Sequence, residues 1–201
     1  MQTFGLTGGI ASGKSTVAGM LAAYPHIDAD LVSREVVEPG TPGLTKIIDA
    51  FGPNVLTPEG TLYRAGLRAM IASSKQAQQT LNAILHPIII QTIKDRVEGY
   101  KRAGEPIVFV SAALMMESGS FKNYDAIILV TSPEEVRLKR LLARDGMEPD
   151  SARNLMAKQW TDQQRRELAT VEIANTSDLD HLRQETRAAL IKLGIREPQL
   201  R

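Results

Sequence analysis

Cysteine is absent from the 201-residue chain, which removes at once a disulfide framework, a thiolate metal site and a cysteine nucleophile. Secretion is therefore not indicated. Aromatic residues are scarce, with 4 Phe, 4 Tyr and 1 Trp, so the core must be mainly aliphatic. Neither sign of charge dominates, because 24 Lys and Arg stand against 23 Asp and Glu for a formal net charge of +1. Proteins that hold nucleic acid or anionic membrane through their overall field carry a large positive excess, so neither partner is expected. Long hydrophobic runs are missing too. The first apolar stretch, Phe4 to Ile10, contains glycines and no basic segment precedes it, and no later run approaches the roughly 18 apolar residues that a membrane span needs. The expectation is a soluble cytoplasmic protein of one domain's length, ample for a buried core, with no obligate protein partner evident.

Short apolar runs alternate with longer helical patterns. Strands are predicted over Gln2–Thr7, His26–Asp28, Ile107–Val110, Ala126–Val130 and Val171–Ala174, an alternation that favours an α/β fold with a parallel sheet covered on both faces. Helical patterns cover Lys14–Ala23, Leu44–Phe51, Lys75–Lys101 with a break near Pro87, Ser151–Trp160 and Asp178–Leu193, because proline interrupts helix interiors. Ser132-Pro133-Glu134-Glu135 reads as a helix start in which Ser132 caps and Glu135 reaches back. The interval 31–102 between the second and third strands is far longer than the dozen or so residues of a plain crossover. It is read as a helical insertion that covers substrate, and the polar stretch 137–166 as a small helical lid. The last residues, Glu197–Arg201, are expected to fray.

Gly8-Gly9-Ile10-Ala11-Ser12-Gly13-Lys14-Ser15-Thr16 fits G-x-x-x-x-G-K-[ST] completely, between a strand and an apolar helical segment, where that pattern has physical meaning. Glycines let the backbone curl so that successive N–H groups point at anionic oxygens. Lys14 can then reach β- and γ-phosphates, and the Ser15 hydroxyl can bind Mg²⁺. The loop alone does not separate kinase from GTPase, motor or switch. No Asn-Lys-x-Asp guanine-reading tetrad occurs, and Asp49-Ala50-Phe51-Gly52, which matches D-x-x-G, is more simply a helix with a C-terminal glycine.

A kinase also needs a base and cations around the phosphoryl group. Asp28 and Asp30 follow the second strand; Asp30 is the candidate base, and the alternative is that both merely cap the next helix. Arg137, Arg140 and Arg144 are spaced to share one helix face, which suits either a phosphoryl group or solvent. Glu117 can orient the acceptor or touch Mg²⁺ through water, or lie on the surface. Ser111 stands where a metal-holding Asp often ends the third strand, so the metal falls to Ser15, phosphates and water. Arg34, Arg64, Arg68 and His86 are the polar residues of the insertion suited to an anionic acceptor, although a lone His before proline is more often structural.

The segments Leu6–Ala18, Asp28–Leu44, Leu81–Pro87, Leu114–Ser118 and Arg140–Gly146 together resemble the dephospho-CoA kinase family. The resemblance implies a P-loop kinase fold, three-layer α/β/α with a five-stranded parallel sheet. In that scheme a core at about 1–30, 103–136 and 167–201 carries a helical acceptor-binding insertion, 31–102, and a lid, 137–166. It implies phosphorylation of the ribose 3′-hydroxyl of dephospho-CoA by ATP with Mg²⁺. Carried over by position, Ala11, Ser12, Gly13, Lys14, Ser15 and Thr16 hold ATP phosphates, Asp30 is the base, Arg140 is a lid arginine, and Arg34, Arg64 and His86 lie in the acceptor region. Together with the reading of the residues themselves, the candidate sets are Lys14, Asp30 and Arg140 for catalysis; Gly9 and Ile10 through Thr16 with Arg140 and Arg144 for ATP; and Asp30, Arg34, Arg64, Arg68, His86 and Glu117 for the acceptor. Three departures from the family pattern stand out. Ala113-Leu114-Met115-Met116-Glu117 lacks an opening proline, Ala169-Thr170 replaces Ala-Asp, and the segment 22–26 is short. The alternatives are a kinase for another nucleoside-like acceptor, or a nucleotide-dependent switch.

Overall fold

The computed structural model describes residues 1–195 and Leu200, so Glu197, Pro198, Gln199 and Arg201 of the tail expected to fray lie outside the described residues. Five strands, β1 (Gln2–Gly8), β2 (His26–Asp28), β3 (Ile107–Ser111), β4 (Ala126–Thr131) and β5 (Val171–Ala174), form one parallel sheet in the order β2-β3-β1-β4-β5. Each predicted strand is present, extended by at most one residue. Continuous apolar runs suit strands covered on two faces, and every residue of β4 is buried.

Side-chain alternation divides the two faces. Phe4 and Leu6, Phe109, Ile128 and Val130, and Ile173 point into a cluster with Val17, Met20 and Leu21 of α1 (Lys14–Met20) and the turn after it. Leu182, Ala189 and Leu190 of α9 (Leu179–Lys192) close that cluster. On the opposite face Ile127 packs with Met115, Met116, Phe121 and Tyr124. Gly5 permits this approach: a Cβ there would lie 2.7 Å from Met115 Sδ and 2.9 Å from Tyr124 Cδ2. The replacement Thr170 has a clear local job, since its Oγ1 accepts from Ile127 N–H at 2.9 Å and ties the entry of β5 to β4.

Between β4 and β5 run α6 (Glu134–Asp145), α7 (Pro149–Ala157) and α8 (Asp162–Arg166). Ser132 does not cap α6 as its sequence suggests; Pro133 occupies the cap position without a side-chain bond. The Ser132 hydroxyl instead accepts from Arg140 Nη1 at 3.3 Å, a charge-assisted contact that competes with capping. Thr161 and Gln164 form a reciprocal capping box that starts α8. Arg166 then grips Glu172 of β5 with bonds of 2.8 to 3.1 Å. That guanidinium, aided by the Thr131 hydroxyl, holds the Glu172 carboxyl below its usual pKa.

Residues 28–99 form a second compact unit, distinct from 1–27 with 100–201. It contains α2 (Ala29–Glu35), α3 (Pro42–Phe51) and α4 (Arg64–Ser73), and most of α5 (Lys75–Arg102). Gly52 ends α3 with φ 81° while its N–H reaches Ile48 O at 2.8 Å, as a C-terminal glycine does. The break predicted near Pro87 does not occur: α5 is one helix of 28 residues with Pro87 inside it. Proline removes one backbone bond locally, while intact turns continue on either side, supported by the Gln91–Asp95 bond at 2.8 Å and by buried Leu81 and Ile93.

Burial raises the Tyr124 phenol pKa to about 12. Its folded-state pKa therefore lies above the unfolded value, the folded chain retains a proton the unfolded chain releases, and this stabilisation is lost as pH rises. Stability should fall from near pH 10 towards about pH 12. Denaturant titrations at stepped alkaline pH should show a shallower fall in Tyr124→Phe, and superimposable profiles would contradict this account.

Candidate functional site

The phosphate loop joins β1 to α1, and its crest is held in a conformation that ordinary residues resist. Gly13 has φ 98° and Ala11 has φ 59°, the latter being the sole positive-φ non-glycine among the described residues. Such a backbone costs on the order of 1 kcal/mol and persists where surroundings enforce it. Three side chains from three separate elements grip three successive residues. Ile10 N–H donates to Gln159 Oε1 at 2.8 Å, Arg140 Nη1 to Ala11 O at 3.4 Å, and Asn175 Nδ2 to Ser12 O at 2.8 Å. Asn175 Oδ1 also accepts from Arg140 Nη2 at 3.4 Å, so the core-side grips support each other. Gly13 makes room for this: a Cβ there would stand 2.1 Å from Asn175 Nδ2.

A second set of contacts lies against Gly9. A Cβ at that position would lie 1.9 Å from Arg137 Nη1 and 3.0 Å from Arg165 Nη1. Arg165 is fully buried; its Nη2 donates to Glu117 Oε1 at 2.6 Å, and its Nη1 is 3.5 Å from Asp162 Oδ1. Arg137 Nη1 is also 3.5 Å from Asp162 Oδ1. Two guanidiniums and two carboxylates thus neutralise each other beside the loop. The network is not saturated, because Arg137 Nε, Arg165 Nε and Glu117 Oε2 are buried without a hydrogen-bond partner.

The three arginines expected to share a face part company. Arg137 and Arg140 turn to the loop, whereas Arg144 is exposed and spends its guanidinium on Asp145 in bonds of 2.7 and 2.9 Å. Helical spacing places all three on one side, but a carboxylate in the adjacent position captures the last. Glu117 Oε1 is engaged by Arg165 and by Trp160 N–H at 3.0 Å, so it holds an arginine and the α7–α8 connection. Ser15 and Thr16 are exposed at the start of α1, and Lys14 is half-buried there. Beside them Gly13, Thr16, Arg140, Asn175, Leu179 and Leu182 are among the residues lining a cavity of about 280 Å³.

The remaining candidates lie in the second unit. Asp28 caps α2, its Oδ1 accepting from the amides of Asp30 and Leu31 at 2.8 and 3.3 Å. The two aspartates therefore differ in role: Asp30 sits in the exposed first turn and does not cap. Arg64 is brought to the end of α2, with Nη2 3.4 Å from Arg34 O and 3.7 Å from Glu38 Oε1. Arg34 and Arg68 are exposed, as is His86 on α5. Gln159, Arg165 and Asn175 escape sequence reading because no short motif contains them; their significance depends on chain segments some 150 residues away meeting the loop.

A strand, a glycine loop and a helix at the centre of a parallel sheet ordered β2-β3-β1-β4-β5 define a P-loop kinase fold. The dephospho-CoA kinase family model matches residues 2–181. A dephospho-CoA kinase from Moorella thermoacetica is 45% identical over 192 residues, 94% of this chain and 91% of its own length. Among solved structures, TT1252 from Thermus thermophilus superposes with TM-score 0.82 at 27% identity, covering 96% of this chain and 97% of that one. Dephospho-CoA kinase from Campylobacter jejuni gives 0.72 at 26% identity, covering 95% and 96% respectively. The chain belongs to the dephospho-CoA kinase family.

Removing the cation from the buried network should be costly, because Glu117 would lose its charged partner and Asp162 would keep only Arg137. Arg165→Met is expected to lower folding stability by about 3–5 kcal/mol, read from urea unfolding. A loss below about 1 kcal/mol, the range of exposed pairs, would show that the pair is screened.

Proposed function

We propose that this chain transfers the γ-phosphoryl group of ATP to the ribose 3′-hydroxyl of dephospho-CoA, producing CoA and ADP, the final step of coenzyme A synthesis, in the cytoplasm. The observation that supports it most is the phosphate loop, gripped at three successive residues, in a chain of this family. Residues Gly9–Thr16 take the phosphates, and Lys14 spans the β- and γ-groups. Arg140, aimed across the loop by Asn175 and Ser132, supplies positive charge where the phosphoryl oxygens gain negative charge. The cavity beside Thr16 and Leu179 accepts the adenine ring.

Mg²⁺ is the cofactor this reading requires. The donor present suits it: Ser15, exposed at the start of α1, offers a hard hydroxyl oxygen. Ser15 would hold it together with phosphate oxygens and water. When bound, Mg²⁺ neutralises charge on the transferring group.

Asp30 is assigned as the base that accepts the 3′-hydroxyl proton, and Arg34, Arg64, Arg68 and His86 as the acceptor-binding set. Residues 31–102 then serve the acceptor, and 137–166 the nucleotide as a lid. Glu117 acts through Arg165, and Arg144, committed to Asp145, is left out of the ATP site.

Purified protein with ATP and Mg²⁺ should form ADP when offered dephospho-CoA and not with a panel of nucleosides. Turnover confined to a different hydroxyl acceptor would overturn the assignment, as would slow hydrolysis indifferent to acceptor. Asp30→Asn should retain ATP binding while kcat drops roughly 10²- to 10⁴-fold, the usual contribution of general-base assistance. Unchanged kcat would return Asp30 to a purely local role in α2. Lys14→Ala should be more damaging still and should weaken ATP binding in calorimetry; wild-type affinity would refute the phosphate-loop assignment.

A further inference from the structure

The Gln159–Trp160 dipeptide, in the connection between α7 and α8, carries two hydrogen bonds that nothing in local helix chemistry requires. Gln159 Oε1 accepts from Ile10 N–H at 2.8 Å. One residue on, Trp160 N–H donates at 3.0 Å to Glu117 Oε1, the same oxygen that receives Arg165 Nη2 at 2.6 Å. Arg165 in turn lies against Gly9. The dipeptide therefore reaches neighbouring residues of the phosphate loop, Ile10 directly and Gly9 through Glu117 and Arg165.

A second observation points the same way. The side chains of Ile10 and Ala11 pack against Leu138 and Leu141 of α6 and Ala152 and Met156 of α7. Apolar side chains at the crest are thus partly buried against the helical segment, while the crest amide is bonded to the connection that ends it. Ala11 has φ 59°, so this stretch of backbone relies on external contacts to stay in shape. On the other flank Asn175 holds Ser12 O. Without the connection, side-chain hydrogen bonds to the crest remain only at Ala11 and Ser12.

We propose that Gln159 is a positioning residue for nucleotide binding: by accepting from Ile10 N–H, it sets the crest of the phosphate loop and makes the loop's binding-competent form depend on where the α7–α8 connection sits. It acts through Ile10 and not by touching the transferring group. Its amide carbonyl is suited to the task, being neutral, so it orients the crest without adding a negative charge beside incoming phosphates. The inference rests on the reading of the loop as an ATP site, but not on the identity of the acceptor.

The test uses the full chain with Gln159→Met, which keeps length and removes the acceptor oxygen, and Gln159→Ala, which removes the side chain without adding bulk. Calorimetric titration with ATP and Mg²⁺, with no acceptor present, should show affinity reduced roughly 3- to 10-fold in both, the equivalent of one neutral hydrogen bond. Arg187→Ala, at an exposed position of α9, should match wild type. In steady-state assays with dephospho-CoA, the KM for ATP should rise by the same factor, with the KM for dephospho-CoA unchanged. Trp160 is the single tryptophan, so acrylamide quenching of its emission reports this connection alone, and quenching should increase in Gln159→Met. ATP affinity within about 1.5-fold of wild type in both variants, equal rises in the two KM values, or unaltered Trp160 quenching would overturn the proposal. If dephospho-CoA proves not to be the acceptor, the calorimetry and quenching still decide it.

Discussion

The constraint on which the nucleotide-binding unit turns is the backbone shape of residues 9–13. A chain that must present successive amides to an anion has to curl through positive φ, here at Ala11 and Gly13, and such a curl is unfavourable without support. Gly8 and Gly9 admit close neighbours where any side chain would collide: a Cβ at Gly8 would lie 2.5 Å from Val130 O and from Ser12 Oγ. The supports come from α6, the α7–α8 connection and the end of β5. The end of β5 extends the sheet, α6 follows β4 directly, and the connection is tied to Glu117, so the supports reach the loop from separate parts of the unit.

Electrostatics imposes a second condition on the same few ångströms. Two arginines beside Gly9 would favour an anion, yet a fully buried guanidinium is costly unless paired. Glu117 and Asp162 offset that charge, and they do so from different elements, one after β3 and one opening α8. The near-zero net charge of the chain reappears here as a local balance. Lys14 and Arg140, both half-buried at the loop, place further positive charge beside it.

Legibility in the sequence follows the range of the interactions. All five strands are readable because a doubly covered strand is a short continuous apolar run, a property of adjacent residues. The phosphate loop is readable because its chemistry is local and fixed in spacing. Pro87 misleads since the helix rule weighs only the missing bond, whereas the flanking turns and the burial of Leu81 and Ile93 decide the outcome. Ser132 misleads as a cap because a guanidinium two turns along, Arg140, takes its hydroxyl. Helical spacing groups Arg144 with Arg137 and Arg140, and its neighbour Asp145 removes it. Gln159, Arg165 and Asn175 are invisible for a related reason: each acts through a partner more than 45 residues away, and a single sequence carries no record of that proximity.

Similar long-range contacts fix the connections on the other side of the sheet. Thr170 Oγ1 accepts from Ile127 N–H, so the β4–β5 junction is held here by an acceptor without charge. Met115 and Met116 are fully buried, and the Met115 thioether fills the space beside Gly5. Glu117 is thereby delivered to Arg165 without a rigid residue at the start of the turn. In both places the sheet supplies the precision, and the connecting segment needs only to bring one polar atom within reach of it.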